Sequence, residues 1–147
     1  MSNSNSSAAI AQNPMLNAVP VRIQRSRQHK HVSPNGLPIV YVGRPSMWGN
    51  PFKLVGDMVY VDASHRRKIL SPWVLFMDGG GHTADHVVKI FRSMMMDLNS
   101  WPVEEPIYNR FKLMRDRIKD LQDKNLSCWC PLDCKCHPDV LLEIANW

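Results

Sequence analysis

A chain of 147 residues that is 44% hydrophobic and 21% charged has apolar material for one globular core, which excludes two large domains and wholesale disorder. Its longest apolar run, Trp73 to Met77, is far shorter than the ~18 residues that cross a bilayer, so no membrane partner is expected. The net charge of +5 favours nucleic acid, nucleotides or other phosphates as partners.

The first 17 residues are polar, low in complexity and without periodicity, and they predict a disordered tail ahead of one α/β domain over 18–147. The start has neither a basic n-region nor an apolar h-region, so a cytoplasmic location is expected. Val19 to Arg25 alternates apolar and polar side chains and predicts a strand with Val21 and Ile23 facing inward. Arg22, Arg25, Arg27 and Lys30 make this region basic, and residues 1–36 contain no carboxylate. After the turn residues Ser33 to Gly36, the β-branched run Pro38 to Gly43 predicts a buried strand at the centre of the sheet.

Ala84 to Leu98 carries Val87, Phe91, Met94, Met95 and Leu98 at helical spacing, with Thr83 as N-cap and Asp85 in the first turn. A second helix is predicted by Ile107, Phe111, Met114, Ile118 and Leu121, with Pro106 suited to its first turn. Asn125 to Cys130 reads as a returning strand, and Asp139 to Trp147 as a terminal helix burying Val140, Leu141, Ile144 and Ala145. Strands separated by helices imply a small three-layer α/β sandwich whose short, partly parallel sheet is flanked by helices.

Two stretches carry chemistry. Gly43 to Phe52 (GRPSMWGNPF) leaves the predicted central strand directly, and its prolines and Gly49-Asn50 keep it from being helical. In open α/β sheets ligands bind beyond the carboxyl ends of strands. There Arg44 can fork a phosphate, Ser46 and Asn50 can hydrogen-bond, and Trp48 can stack on a base. The alternative is a rigid loop in which Trp48 and Phe52 plug the core and Asn50 holds a turn.

The second stretch, Cys128 to Asp139, holds all four cysteines and His137. Such clustering suits metal or reactive-thiol chemistry better than stapling a secreted fold. Zinc is one reading, with ligands drawn from Cys128, Cys130, Cys134, Cys136 and His137. A second is a helix N-terminus that attracts an anion, with Cys130, Cys136, His137 and Asp139 as the reactive, catalytic side. In a third, Asp139 caps the helix and the cysteines are small buried hydrophobes.

Together, GRPSMWGNPF at 43–52 and CWCPLDCKCHPDVL at 128–141 resemble the hallmarks of a phage and bacterial family, domain of unknown function 4326. The resemblance runs from about Val19 to the C-terminus. This chain departs from the family pattern in carrying Cys134 and Lys135 ahead of the Cys-His pair. A phage-type origin would place the protein in host cytoplasm. The expected function is binding of a phosphate-bearing small molecule, a nucleotide or its derivative, in a pocket shared by the two loops, with turnover left open. The alternative is a non-enzymatic, zinc-stabilised module that binds nucleic acid or a host protein.

Overall fold

The computed structural model describes residues 18–28, 31–55, 58–63, 66–69, 83–100 and 105–147. The predicted tail over 1–17 and the apolar run Trp73 to Met77 lie outside them. In chain order the elements are β1 (Arg22–Gln24), β2 (Ile39–Tyr41), β3 (Phe52–Val55), β4 (Met58–Ala63), β5 (Arg66–Ile69), α1 (Ala84–Met96), α2 (Glu105–Asp116), β6 (Asn125–Cys128) and α3 (His137–Ala145). Short 3-10 turns occupy Leu98–Ser100 and Ile118–Leu121. The result is the expected α/β fold, with a short parallel sheet and helices against it.

The parallel sheet has the order β1-β6-β2. Its centre is therefore β6, and β2 is a half-buried edge strand, which corrects the expectation drawn from the β-branched run. All four β6 residues are buried although two of them, Asn125 and Ser127, are polar. Asn125 meets the cost of burial through partners on both sides. Its Oδ1 accepts from the Val21 N–H at 3.0 Å, and its Nδ2 donates to Asn35 Oδ1 at 2.7 Å and Ser33 Oγ at 3.1 Å. One amide thus ties the approach to β1 and the 33–37 turn onto the central strand. Asn125→Ala should leave buried donors and acceptors unpaired, at about 1–3 kcal/mol each, and lower the urea midpoint accordingly. A midpoint within error of wild type would show that water replaces the amide.

Of the two residues predicted to face inward, Ile23 of β1 is half-buried, but Val21, just before the strand, is not. Val21 is 37% exposed, while the Arg22 side chain is only 6% exposed. Period-two alternation alone does not say which face is covered, and here the covering is a polar loop that offers carbonyls to a guanidinium.

A second sheet, β3-β4-β5, is an antiparallel meander that hydrophobic patterning did not announce. It carries Phe52, 1% exposed, under α1. Thr83 is the N-cap of α1 as expected, and its N–H donates to Nδ1 of His86 at 2.8 Å. The continuous helix expected from Ile107 to Leu121 breaks near Arg117, whose Nε pairs with Asp120 at 2.8 Å in the 3-10 turn that follows. The predicted apolar stripe survives the break, with Ile107, Phe111, Met114 and Leu121 all buried. Phe111 stacks on Phe52 and tilts against Phe91 with centroids 5.7 and 5.4 Å apart, joining the two sheets' helices into one core. No helix among the described residues is long and apolar enough to cross a membrane.

Candidate functional site

Parallel register places the last residues of all three strands at one edge. Gln24 pairs with Cys128 and Tyr41 with Ser127, so Arg25, Gly43-Arg44 and Trp129-Cys130 leave the sheet side by side. The chain after β2 turns tightly: Ser46 N–H donates to the Gly43 carbonyl and Gly49 N–H to the Ser46 carbonyl, each at 3.0 Å, around a cis Arg44–Pro45 bond. Gly43 is required by close approach. A Cβ there would meet the Tyr41 ring and hydroxyl at 2.5–2.8 Å, and that hydroxyl donates to the Arg44 carbonyl at 2.6 Å. Arg110 pins the far end of the loop through the Gly49 carbonyl at 2.7 Å.

The loop after β6 is held by Arg22. One guanidinium nitrogen donates to the carbonyls of Pro131, Leu132 and Cys134 at 3.2, 3.1 and 2.6 Å, and Nε pairs with Asp139 at 3.1 Å. The terminal helix begins at His137, two residues before the expected start, with Cys136 as N-cap and the Asp139 carboxylate accepting the Cys136 N–H at 3.0 Å.

Between these loops lies a cleft of about 610 Å³. Arg44 and Asn50 of the first motif and Cys128, Cys130, Cys136 and His137 of the second all line it. Residues 93 positions apart (137 − 44) thus share one site. Trp48 does not: it is 6% exposed and packed in the core, so the aromatic walls are Tyr41, Phe52 and Trp129 instead. Ser46 lies outside the lining, its buried hydroxyl without a hydrogen-bond partner. Asn50 is buried, and its Oδ1 accepts the Phe52 N–H at 2.9 Å, so its carbonyl side serves the turn. Asp139 is withdrawn from the proposed reactive side, because its carboxylate is committed to Arg22 and the helix start and is not in the lining.

Lys53 and Lys135 join Arg44 in the lining, and among the described residues no carboxylate does. Sequence reasoning missed both lysines, as well as Tyr41 and Trp129. For Trp129 the signal was present, a large aromatic set between two cysteines at a strand end. Arg25 lies between the two missed rings, its guanidinium carbon 4.5 Å from the Tyr41 centroid and 5.4 Å from that of Trp129.

Cys128, Cys130 and Cys136 gather at the floor, their sulfurs all within 4.8 Å of one another, close enough to hold a metal ion. Cys134 is not among them, which corrects the ligand set drawn from spacing: its exposed thiol faces the Asp133 carboxylate at 3.6 Å. The S–H groups of Cys130 and Cys136 hold the Cys128 thiol well below the usual thiol range, and the same contacts push Cys130 and Cys136 up. Burial lowers the His137 imidazole below its ordinary value and keeps it neutral.

A family model, Domain of unknown function (DUF4326), matches the chain over residues 21–147. The chain belongs to that family. No curated protein and no solved structure matches it.

Proposed function

We propose that this DUF4326 protein binds a phosphate-bearing small molecule, a nucleotide or nucleotide derivative, in the cleft between its two motif loops. The observation that supports the reading is the lining: Arg44 and Lys135, with no carboxylate among the described lining residues, beyond the carboxyl ends of parallel strands and beside the first residue of α3. Cations and a helix N-terminus both favour an anion there. Arg44 is exposed and presents a planar fork to phosphate, while Trp129, 48% exposed, and Tyr41 offer flat surfaces to a base.

A thermal-stabilisation screen with nucleotides and sugar phosphates tests this. A ligand at about 100 times its dissociation constant should add ~2.7 kcal/mol. Arg44→Lys should then weaken the ligand found by at least roughly tenfold, the equivalent of ~1.5–3 kcal/mol, without moving the unfolding midpoint of the free protein. Unchanged affinity would return Arg44 to a purely loop-forming role. Oligonucleotides binding far more tightly than mononucleotides, with steep salt dependence, would favour the nucleic-acid alternative.

The thiol cluster favours a second, compatible reading in which the ion is zinc and organises the loop. Zinc prefers thiolate and imidazole donors, and three sulfurs already converge. Protein purified without chelator should carry one equivalent of zinc. Of the four cysteines, Cys134 alone should react quickly with a thiol reagent until the metal is removed. Four freely reactive thiols and no metal would remove this reading.

A further inference from the structure

We infer that Nδ1 of His137 completes the metal centre, making it a closed Cys128, Cys130, Cys136 and His137 site. This inference rests on the zinc reading above and adds its fourth ligand and its role. The tautomer is decided by a neighbour. His137 Nε2 lies 2.8 Å from the Val42 carbonyl, which can only accept, so Nε2 carries the proton and Nδ1 offers a lone pair. A ligating imidazole is oriented by such a carbonyl on its other nitrogen.

Two of the ligand-to-ligand distances already match tetrahedral coordination. Zinc–sulfur bonds of ~2.3 Å and zinc–nitrogen bonds of ~2.0–2.1 Å imply edges of about 3.8 Å between sulfurs and about 3.6 Å between sulfur and nitrogen. Cys128 and Cys136 sulfurs are 3.8 Å apart, and Cys136 sulfur is 3.6 Å from His137 Nδ1. His137 lies outside the trio whose ligand atoms are all within 4.8 Å of one another, so Nδ1 must close on the remaining sulfurs as the metal binds, and Cys130, 2.6 Å from Cys136, must move too. It lies on the loop and is only half-buried, so an outward swing of about 1.2 Å reaches the edge length without disturbing β6 or α3.

Four protein ligands leave no open position, so the ion is structural and the thiolates are ligands rather than nucleophiles. It joins the end of β6, the following loop and the first residue of α3, and through Val42 it fixes the end of β2. These are the elements that hold Arg44 and Trp129 around the cleft. Three thiolates and a dication contribute a net charge of −1, which the lining cations Arg44 and Lys135 outweigh.

The test uses the full chain loaded with zinc, cobalt(II) or NMR-active cadmium. Scalar coupling between cadmium and Nδ1 of His137 in nitrogen-labelled wild type is expected directly, whatever the variants do. Zinc affinity should fall by more than the 10–100-fold typical of outer-shell changes in His137→Ala. It should recover in His137→Cys, with a stronger sulfur-to-cobalt charge-transfer band, and stay unchanged in Cys134→Ser. Bound metal without that coupling, together with unaltered affinity in His137→Ala, would overturn the fourth ligand while leaving the zinc reading intact. Loss of metal in Cys134→Ser would overturn the ligand set. A wild type that takes up no metal, or whose mass shows a Cys130–Cys136 disulfide, would overturn the zinc reading itself.

Discussion

Phe91→Ala should destabilise the protein by about 3–5 kcal/mol, the range for truncating a fully buried aromatic ring. Phe91 is 0% exposed on α1 and joins two parts of the molecule. Its ring tilts against Phe111 at a centroid distance of 5.4 Å and meets the His137 ring edge-on at the same distance. The cavity would therefore open beside both the core and the cleft floor. For a chain of this size the loss corresponds to a fall in melting temperature on the order of 10 °C. Phe91→Leu keeps most of the volume and should cost less than half as much. Thermal melts of the three proteins decide the matter, and equal midpoints for Phe91→Ala and wild type would mean that the site collapses without penalty. Ligand affinity of Phe91→Ala, measured well below its melting temperature, should also fall, because His137 loses the ring that seats it.

Arg22→Ala is the second large effect, and it acts on the site more than on the core. The guanidinium gathers three carbonyls of the 131–134 loop and the Asp139 carboxylate, so it couples β1 to the segment that spaces Cys130 from Cys136. Water can reach the exposed carbonyls once the arginine is gone, and Asp139 is itself 45% exposed. The net loss should therefore be about 2–3 kcal/mol, below the sum of separate charge-assisted bonds. Arg22→Lys keeps the charge without the fork and should fall between wild type and alanine. Urea unfolding together with zinc affinity measures both consequences. A midpoint that does not move would show that the loop is positioned by its own turn, in which Cys134 N–H donates to the Pro131 carbonyl at 3.2 Å.

The contrast between Arg22 and Val21 shows where patterning stops being informative. Alternation identifies a strand, and β1 is one, but choosing its covered face assumes that burial is apolar. Arg22 breaks that assumption because its partners are backbone carbonyls from 109 to 112 positions away, which no local pattern contains. The centre of the sheet was misplaced for a related reason. β2 has the β-branched composition of an interior strand, yet β6, with Asn125 and Ser127, occupies the middle because the Asn125 amide is satisfied by segments from both neighbours.

The sequence by itself determined the helices, whose 3.6-residue stripes of Val87, Phe91, Met94 and of Ile107, Phe111, Met114 need only a core to face. It also determined the two motif loops and their place after strands, since proline, glycine and clustered cysteines act within a few residues of chain. Only the tertiary structure decided that Trp48 packs into the core and leaves the cleft wall to Tyr41, Phe52 and Trp129. It alone separated Cys134 from Cys128, Cys130 and Cys136, and it alone aimed His137 Nε2 at Val42. Those outcomes depend on the parallel register that sets the ends of β2 and β6 side by side. Register is settled by contacts between segments far apart in the chain, which local residue preferences do not encode.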